Sequence, residues 1–252
     1  MPFEERGAEC ATNTQYIVGL SAYRWAVEML PDIADMRVLD VACGTGYGSA
    51  ALAAWTRSVV GVDRDLPTVL EATRRYGRPN LWFLPMEGEA LALRSASIDA
   101  VVSFETIEHV HDDRWFLREI GRVLTSDGWL VLSTPHAPKP GAVPDNPFHL
   151  REYTWGELRD RLGEHFASVR LFGRRLSPRL ARLEQELNRV RRLDPGAWRR
   201  LVPRKIRHRL GSLLSWWRAG VGLEDITTAD VEYSEGLTAT PTLLAVCRRT
   251  VR

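Results

Sequence analysis

The chain has 252 residues, with 34 Lys and Arg against 32 Asp and Glu and a formal net charge of +2. That length suits one large α/β domain, and so even a balance gives no overall nucleic-acid signature. Three dispersed cysteines (Cys10, Cys43, Cys247) form no CxxC pair, which argues against a disulfide framework or thiolate metal site and fits a reducing compartment.

Met1-Pro2-Phe3-Glu4-Glu5 lacks the basic start and apolar core of a signal peptide. No apolar run reaches the roughly 18 residues of a membrane span, so a cytoplasmic location is expected. Tyr16 to Leu30 reads as an amphipathic helix ahead of Pro31. A short strand, Val38 to Val41, follows and opens into the glycine loop Cys43-Gly44-Thr45-Gly46-Tyr47-Gly48, then a helix from Ala50 to Trp55. Ser58 to Asp63 is a second strand, Leu66 to Tyr76 a helix begun after Asp65, and Leu81 to Leu84 a third strand. Ile98 to Phe104 is a fourth strand. A helix from His111 to Leu124 closes at the turn Ser126-Asp127-Gly128, and Trp129 to Ser133 is a fifth strand. After a proline-rich loop come a helix from Tyr153 to Phe166 and strands at Val169–Phe172 and Thr242–Cys247. Apolar strands without alternation, separated by helices, indicate a parallel sheet covered on both faces.

One segment stands apart. Arg174 to Arg218 holds 14 Lys/Arg against 3 Asp/Glu. Leu180, Leu183, Leu187 and Val190 fall at helical spacing, as do Ile206, Leu210, Leu213 and Trp217. Two amphipathic helices are expected, broken near Asp194-Pro195-Gly196 and Pro203. Their apolar stripes pack on the domain, while the arginines form a solvated face, a basic lid over an acidic or sugar substrate, or a peripheral membrane contact.

The glycine loop lets backbone approach a ligand closely, and the helix start behind it offers free N–H groups. Its spacing, G-x-G-x-G with Asp40 four residues ahead, departs from the dinucleotide pattern G-x-G-x-x-G. Asp63 ends the second strand, where a carboxylate can accept both ribose hydroxyls of a nucleoside; otherwise it is a capping or surface residue. Glu87-Gly88 follows the third strand, where an adenine edge would lie, or is a simple turn. Asp40–Gly46, Gly61-Val62-Asp63, Glu87–Leu91 and Ser97–Ser103 resemble the successive motifs of class I S-adenosylmethionine-dependent methyltransferases. The resemblance covers roughly residues 15 to 172 and 241 to 249. It implies an α/β fold, a Rossmann-like seven-stranded, mostly parallel sheet with an antiparallel last strand, here carrying a helical insert over 173–222 within a single domain of 1–252. It also implies S-adenosylmethionine as donor and S-adenosylhomocysteine as product. Asp40, Ala42, Gly44, Gly46, Asp63, Glu87, Gly88 and Ser103 are carried over as cofactor-binding, although the family more often has Asp at the position of Glu87.

The acceptor side follows the fourth strand, in Phe104-Glu105-Thr106-Ile107-Glu108-His109-Val110-His111. An alcohol loses its proton only near pH ~15–16, so an oxygen acceptor needs a base or a metal. Glu105 and Glu108 are three apart, and one helical turn puts them on one side. With His109 they suit Mg²⁺ or Mn²⁺, with zinc as an alternative; without metal they cap or orient the helix. Asn146–Thr154 resembles the segment that supplies a further histidine in the small-RNA 3′-terminal 2′-O-methyltransferases, which also carry E-x-x-E-H. That resemblance implies Glu105, Glu108, His109 and His149 as metal ligands. His136, at the end of the fifth strand, is a candidate general base, and Glu108 and His109 share the catalytic role; His111 is a weaker base. The overall look resembles methyltransferases that tailor bacterial sugars. An O-methyltransferase acting on a carbohydrate or other small-molecule acceptor is therefore expected, without a nucleic-acid partner, and a homodimer is open. The alternatives are RNA-terminus methylation and a non-catalytic cofactor-binding scaffold docked through Trp198, Trp216 and Trp217.

Overall fold

The computed structural model describes residues 14–192 (side chains to 186), 226–236 and 239–249. The main elements run α1 (Thr14–Met29), β1 (Arg37–Val41), α2 (Tyr47–Leu52), β2 (Ser58–Asp63), α3 (Leu66–Tyr76), β3 (Leu81–Pro85) and β4 (Ile98–Phe104). They continue with α4 (Asp113–Val123), β5 (Leu124–Pro135), α5 (Trp155–Gly163), β6 (Ser168–Leu176), α6 (Pro178–Arg192), β7 (Val231–Glu235) and β8 (Thr242–Arg248). The sheet order is β3-β2-β1-β4-β5-β8-β6-β7. Strands β1 to β5 pair in parallel, and β8 is antiparallel to both β5 and β6.

The expected α/β sheet is present, with eight strands where seven were expected. The added strand, β7, buries only Val231, so its polar sequence carries no core signal. Three other boundaries differ for local reasons. Gly46, at φ 81°, turns the chain so sharply that α2 starts at Tyr47 rather than Ala50. The turn expected at Ser126–Gly128 is absorbed into β5 as an irregularity, because Leu124 pairs with Ile98 and Trp129 with Ala100. Asp112 accepts the Trp115 N–H (2.9 Å) and starts α4 at Asp113, after the residues expected to open it.

Alternation along the buried strands feeds two cores. Leu39, Val101, Leu130 and Leu132 join Phe116, Ile120, Leu158 and Leu162 of α4 and α5. Val38, Val102 and Val131 join Trp25, Ala26, Leu52 and Ala72 of α1, α2 and α3. The chain divides into two compact units, one of Ala22–Arg174 with Tyr233–Arg252 and one of Met1–Ser21 with Arg175–Glu232. In the second, Asp230 accepts Arg179 through both carboxylate oxygens (2.6 and 2.8 Å) and the Ser177 hydroxyl (2.8 Å), tying the start of the insert to its end. Arg179 therefore holds its carboxyl far below the usual range. Leu180 and Leu183 of α6 are fully buried. The second insert helix expected over Ile206–Trp217 lies outside the described residues. Among the described residues no helix is long and apolar enough to cross a membrane.

The glycine loop is held from behind. Asp40 is fully buried and accepts the Tyr23 hydroxyl (3.2 Å) and the Ser49 hydroxyl (2.6 Å). Burial raises its carboxyl to about 7, against these two hydrogen bonds, which lower it. Tyr23 lies directly on Gly48, where an added Cβ would fall 1.9 Å from the ring. Gly48→Ala is therefore expected to cost about 1–3 kcal/mol by overpacking, read as a lower thermal midpoint. The Asp40 shift also has a sign. An acid raised on folding ionises more readily in the unfolded chain, so stability falls as pH climbs from about 4 towards about 7 and then levels. Urea melts at pH 5 and pH 8 should show Asp40→Asn gaining on the wild type at the higher pH; parallel curves would contradict this.

Candidate active site

Strands β1 and β4 lie side by side and parallel in the middle of the sheet, and the chain leaves them towards opposite edges, to β2 and to β5. Ligands of open α/β sheets bind beyond the carboxyl ends of the strands at such a point. Both strands end here in a left-handed residue that is not glycine, Ala42 at φ 60° and Glu105 at φ 51°. Such conformations are strained and cluster at functional sites. Ala42 and Glu105 line a cleft of about 470 Å³, in the range of small-molecule sites.

One end of the cleft gathers Asp63, Glu87 and Gly88, the residues expected to meet a nucleoside. Asp63 accepts the Gly44 N–H through one oxygen (2.9 Å) and the Asp65 N–H through the other (3.0 Å). A carboxylate has about four acceptor positions, so two remain for hydroxyls. Glu87 and Gly88 also line the cleft. A Cβ on Gly88 would press on the Phe116 ring at 2.9 Å. The loop glycines divide their work. Gly46 is closed in by Ala72 and Phe83 and Gly48 by Tyr23, whereas a Cβ on Gly44 would meet nothing within 4 Å. Gly44 is thus the position open to a ligand. Asp40 and Ser103 do not reach the cleft. Both are fully buried, and the Ser103 hydroxyl donates to the Val41 carbonyl (3.3 Å), tying β4 to β1.

The other end is the acidic rim. Glu105 precedes a short 3-10 turn, Ile107–His109, so the expected single helical turn from Glu105 to Glu108 does not form. The Ser133 hydroxyl donates to Glu105 (2.7 Å) and the Thr134 hydroxyl to Glu108 (3.0 Å). Successive strand side chains point to opposite faces, so the two carboxylates sit on opposite sides of the β5 end. Glu108, His109 and His149 offer ligand atoms within 4.8 Å of one another, and Glu105 stays outside that cluster. The Glu108 side chain is fully buried, and its second oxygen, Oε1, has no hydrogen-bond partner among the described residues; His109 Nε2 lies 3.9 Å from it. Burial, helped by the charge of Glu105, raises the Glu108 carboxyl to about 8.

The proline-rich segment delivers His149 and is pinned along its length. Leu150 N–H donates to the Glu108 carbonyl (2.8 Å), and His109 Nδ1 meets the Phe148 carbonyl (2.9 Å). Arg151 donates to the His111 carbonyl (2.7 Å) and pairs with Asp113 (2.9 Å), which also accepts the Tyr153 hydroxyl (2.7 Å). Phe148 and Leu150 line the cleft beside His109 and His111. His136 does not line it; its Nδ1 lies 2.9 Å from the Thr240 carbonyl. Asn146 and Glu152, which touch His149, were missed in the sequence. The only signal was the spacing of Glu152, three residues after His149.

The methyltransferase domain family matches residues 39–132, from β1 into β5. The chain is 40% identical over 147 residues to a protein of Mycobacterium tuberculosis named as a probable S-adenosylmethionine-dependent methyltransferase. That match covers 57% of this chain and 53% of the relative, so the chain spans about half the relative's length. An uncharacterized methyltransferase of Mycobacterium bovis is 31% identical over 188 residues, covering 73% of this chain and 87% of that one. A crystal structure from Thermotoga maritima, described as an S-adenosylmethionine-dependent methyltransferase and possible histamine N-methyltransferase, superposes with a TM-score of 0.62. At 15% identity over 94% of this chain and 92% of that one, it speaks for the fold alone. With a matched domain across the donor half of the sheet and a relative covered over most of its length, the chain belongs to the class I S-adenosylmethionine-dependent methyltransferases.

Proposed function

We propose that the enzyme methylates a carbohydrate hydroxyl and that a divalent cation held by Glu108, His109 and His149 assists it. The observation that carries this reading is the buried Glu108 oxygen without a partner, facing two imidazoles. A buried carboxylate oxygen in that state is costly unless a cation or donor meets it. The donor set fits: Nδ1 of each histidine lies against an oxygen acceptor, the Phe148 carbonyl (2.9 Å) or Glu152 (2.7 Å), the support usual behind ligating imidazoles. Two imidazoles to one carboxylate favour Mn²⁺ over Mg²⁺. Such a cation lowers the pKa of a hydroxyl bound beside it.

The remaining work falls to the chain. Asp63 binds the ribose hydroxyls of the donor, and Glu87 and Gly88 flank its adenine. Thr134 holds Glu108 in place, and Ser133 holds Glu105 on the cleft wall. Glu105 accepts hydrogen bonds from the acceptor, and it and His111, both in the cleft lining, serve as candidates to take the hydroxyl proton. The oxygen then attacks the methyl in line, the carbon–sulfur bond breaks, and S-adenosylhomocysteine leaves. Alignment supplies much of the rate, because the sulfonium is already a good leaving group. Glu87, Glu89 and Glu105 in the lining favour hydroxyl-rich ligands and disfavour phosphates, which supports a sugar over an RNA end. The exposed Phe148 ring, 77% accessible at the rim, offers an apolar face to a sugar ring.

Two measurements test this. In an acceptor panel with labelled S-adenosylmethionine, chelation should abolish transfer to sugar acceptors and Mn²⁺ should restore it; full activity after metal removal would end the metal reading. Calorimetry should separate the two ends of the cleft. Asp63→Ala should weaken S-adenosylmethionine at least about tenfold, since hydrogen bonds to a charged group contribute about 1.5–3 kcal/mol each, with Mn²⁺ affinity kept. Glu108→Gln should do the reverse.

A further inference from the structure

The tautomer of His149 can be read from its hydrogen-bond neighbours. Asn146 Oδ1 lies 3.1 Å from the Phe148 backbone N–H, which can only donate. That fixes the amide: its oxygen faces Phe148, and its NH₂ faces His149 Nε2 at 2.8 Å. An NH₂ can only donate, so Nε2 carries a lone pair and no proton. The other nitrogen, Nδ1, lies 2.7 Å from Glu152 Oε1. A carboxylate can only accept, so the proton sits on Nδ1. The two assignments agree without further assumption.

We propose that Asn146 and Glu152 together hold His149 as the neutral Nδ1–H tautomer, and that Asn146 is a removable cap on the Nε2 lone pair. The first half concerns the protein by itself. The second rests on the metal reading above: Nε2 has one lone pair, and the Asn146 amide holds it. A cation can take that nitrogen only after the amide withdraws. Asn146 is exposed and has room to do so. The two neighbours thus act in opposite senses on the same imidazole. Glu152 leaves the lone pair on Nε2, and Asn146 keeps it covered until a ligand competes for it.

The test has two independent readouts. Long-range ¹H–¹⁵N correlation spectra of the metal-free protein at about pH 8, above the usual range of histidine protonation, should show His149 with its proton on Nδ1. A proton on Nε2, or on both nitrogens, would overturn the assignment. Glu152→Ala should mix the tautomers and weaken Mn²⁺ by about 10–100-fold. Glu152→Gln, whose amide oxygen can still accept, should restore the tautomer. Asn146→Ala should tighten Mn²⁺ about fivefold, the value of one ordinary hydrogen bond; weaker binding would remove the cap. Asn146→Asp should place a proton on Nε2. Unchanged S-adenosylmethionine affinity shows in each case that the fold is intact. A wild type with the expected tautomer but no Mn²⁺ binding would refute the metal reading and the cap while upholding the tautomer.

Discussion

In a pleated strand, successive side chains leave on opposite faces, and at the carboxyl end of β5 that alternation sorts the chemistry of the rim. Ser133 holds Glu105 on the open side of the cleft, and Thr134 holds Glu108 in the buried interior. Two acids three residues apart thereby receive different environments and different uses. Glu105 remains solvated and lines the cleft. Glu108 is stripped of water, with its carboxyl raised and one oxygen unmatched. The left-handed turn at Glu105 makes this possible, because a regular helical turn would have carried both carboxylates to one side.

The donor end follows a different economy of charge. Asp40 does not line the cleft, yet its burial behind the loop orders Tyr23 and Ser49, and Tyr23 in turn shapes the backbone at Gly48. A raised carboxyl is the cost of that order. Asp63, half-buried at the cleft, keeps free acceptor positions while bracing Gly44. Loop shape and ligand contact are thus assigned to separate acids.

Much of this was legible in the sequence. Apolar runs marked β1 to β5, the central strands β1 and β4 because both of their faces are covered and the edge strand β3 although Trp82 and Leu84 stay exposed. The acid-then-glycine spacing marked the glycine loop. Three things were hidden. β7 is a polar edge strand whose pairing depends on the backbone of its neighbour rather than on its own apolar pattern. The sense of the turn at Glu105 is a backbone choice that no residue type there dictates, so of the four ligands implied by E-x-x-E-H together with the Asn146–Thr154 segment, three are brought together in space. The partners of His149 depend on how a loop folds back on itself, and spacing alone gave only a hint of Glu152.

The rim joins segments far apart in the chain, with His109 meeting the Phe148 carbonyl across 39 residues. The donor loop, by contrast, closes over β1, β2 and the helices next to them in sequence. Contacts of long sequence separation are slow to form, since loop closure must precede their reward. The His149 segment is fastened by a small set of hydrogen bonds and by Asp113, with little apolar burial of its own. It therefore has the makings of a separate opening unit, able to detach and re-seat while the sheet and the donor pocket stay folded. The rim can in this way come apart and re-form without unmaking the part of the sheet that carries the glycine loop.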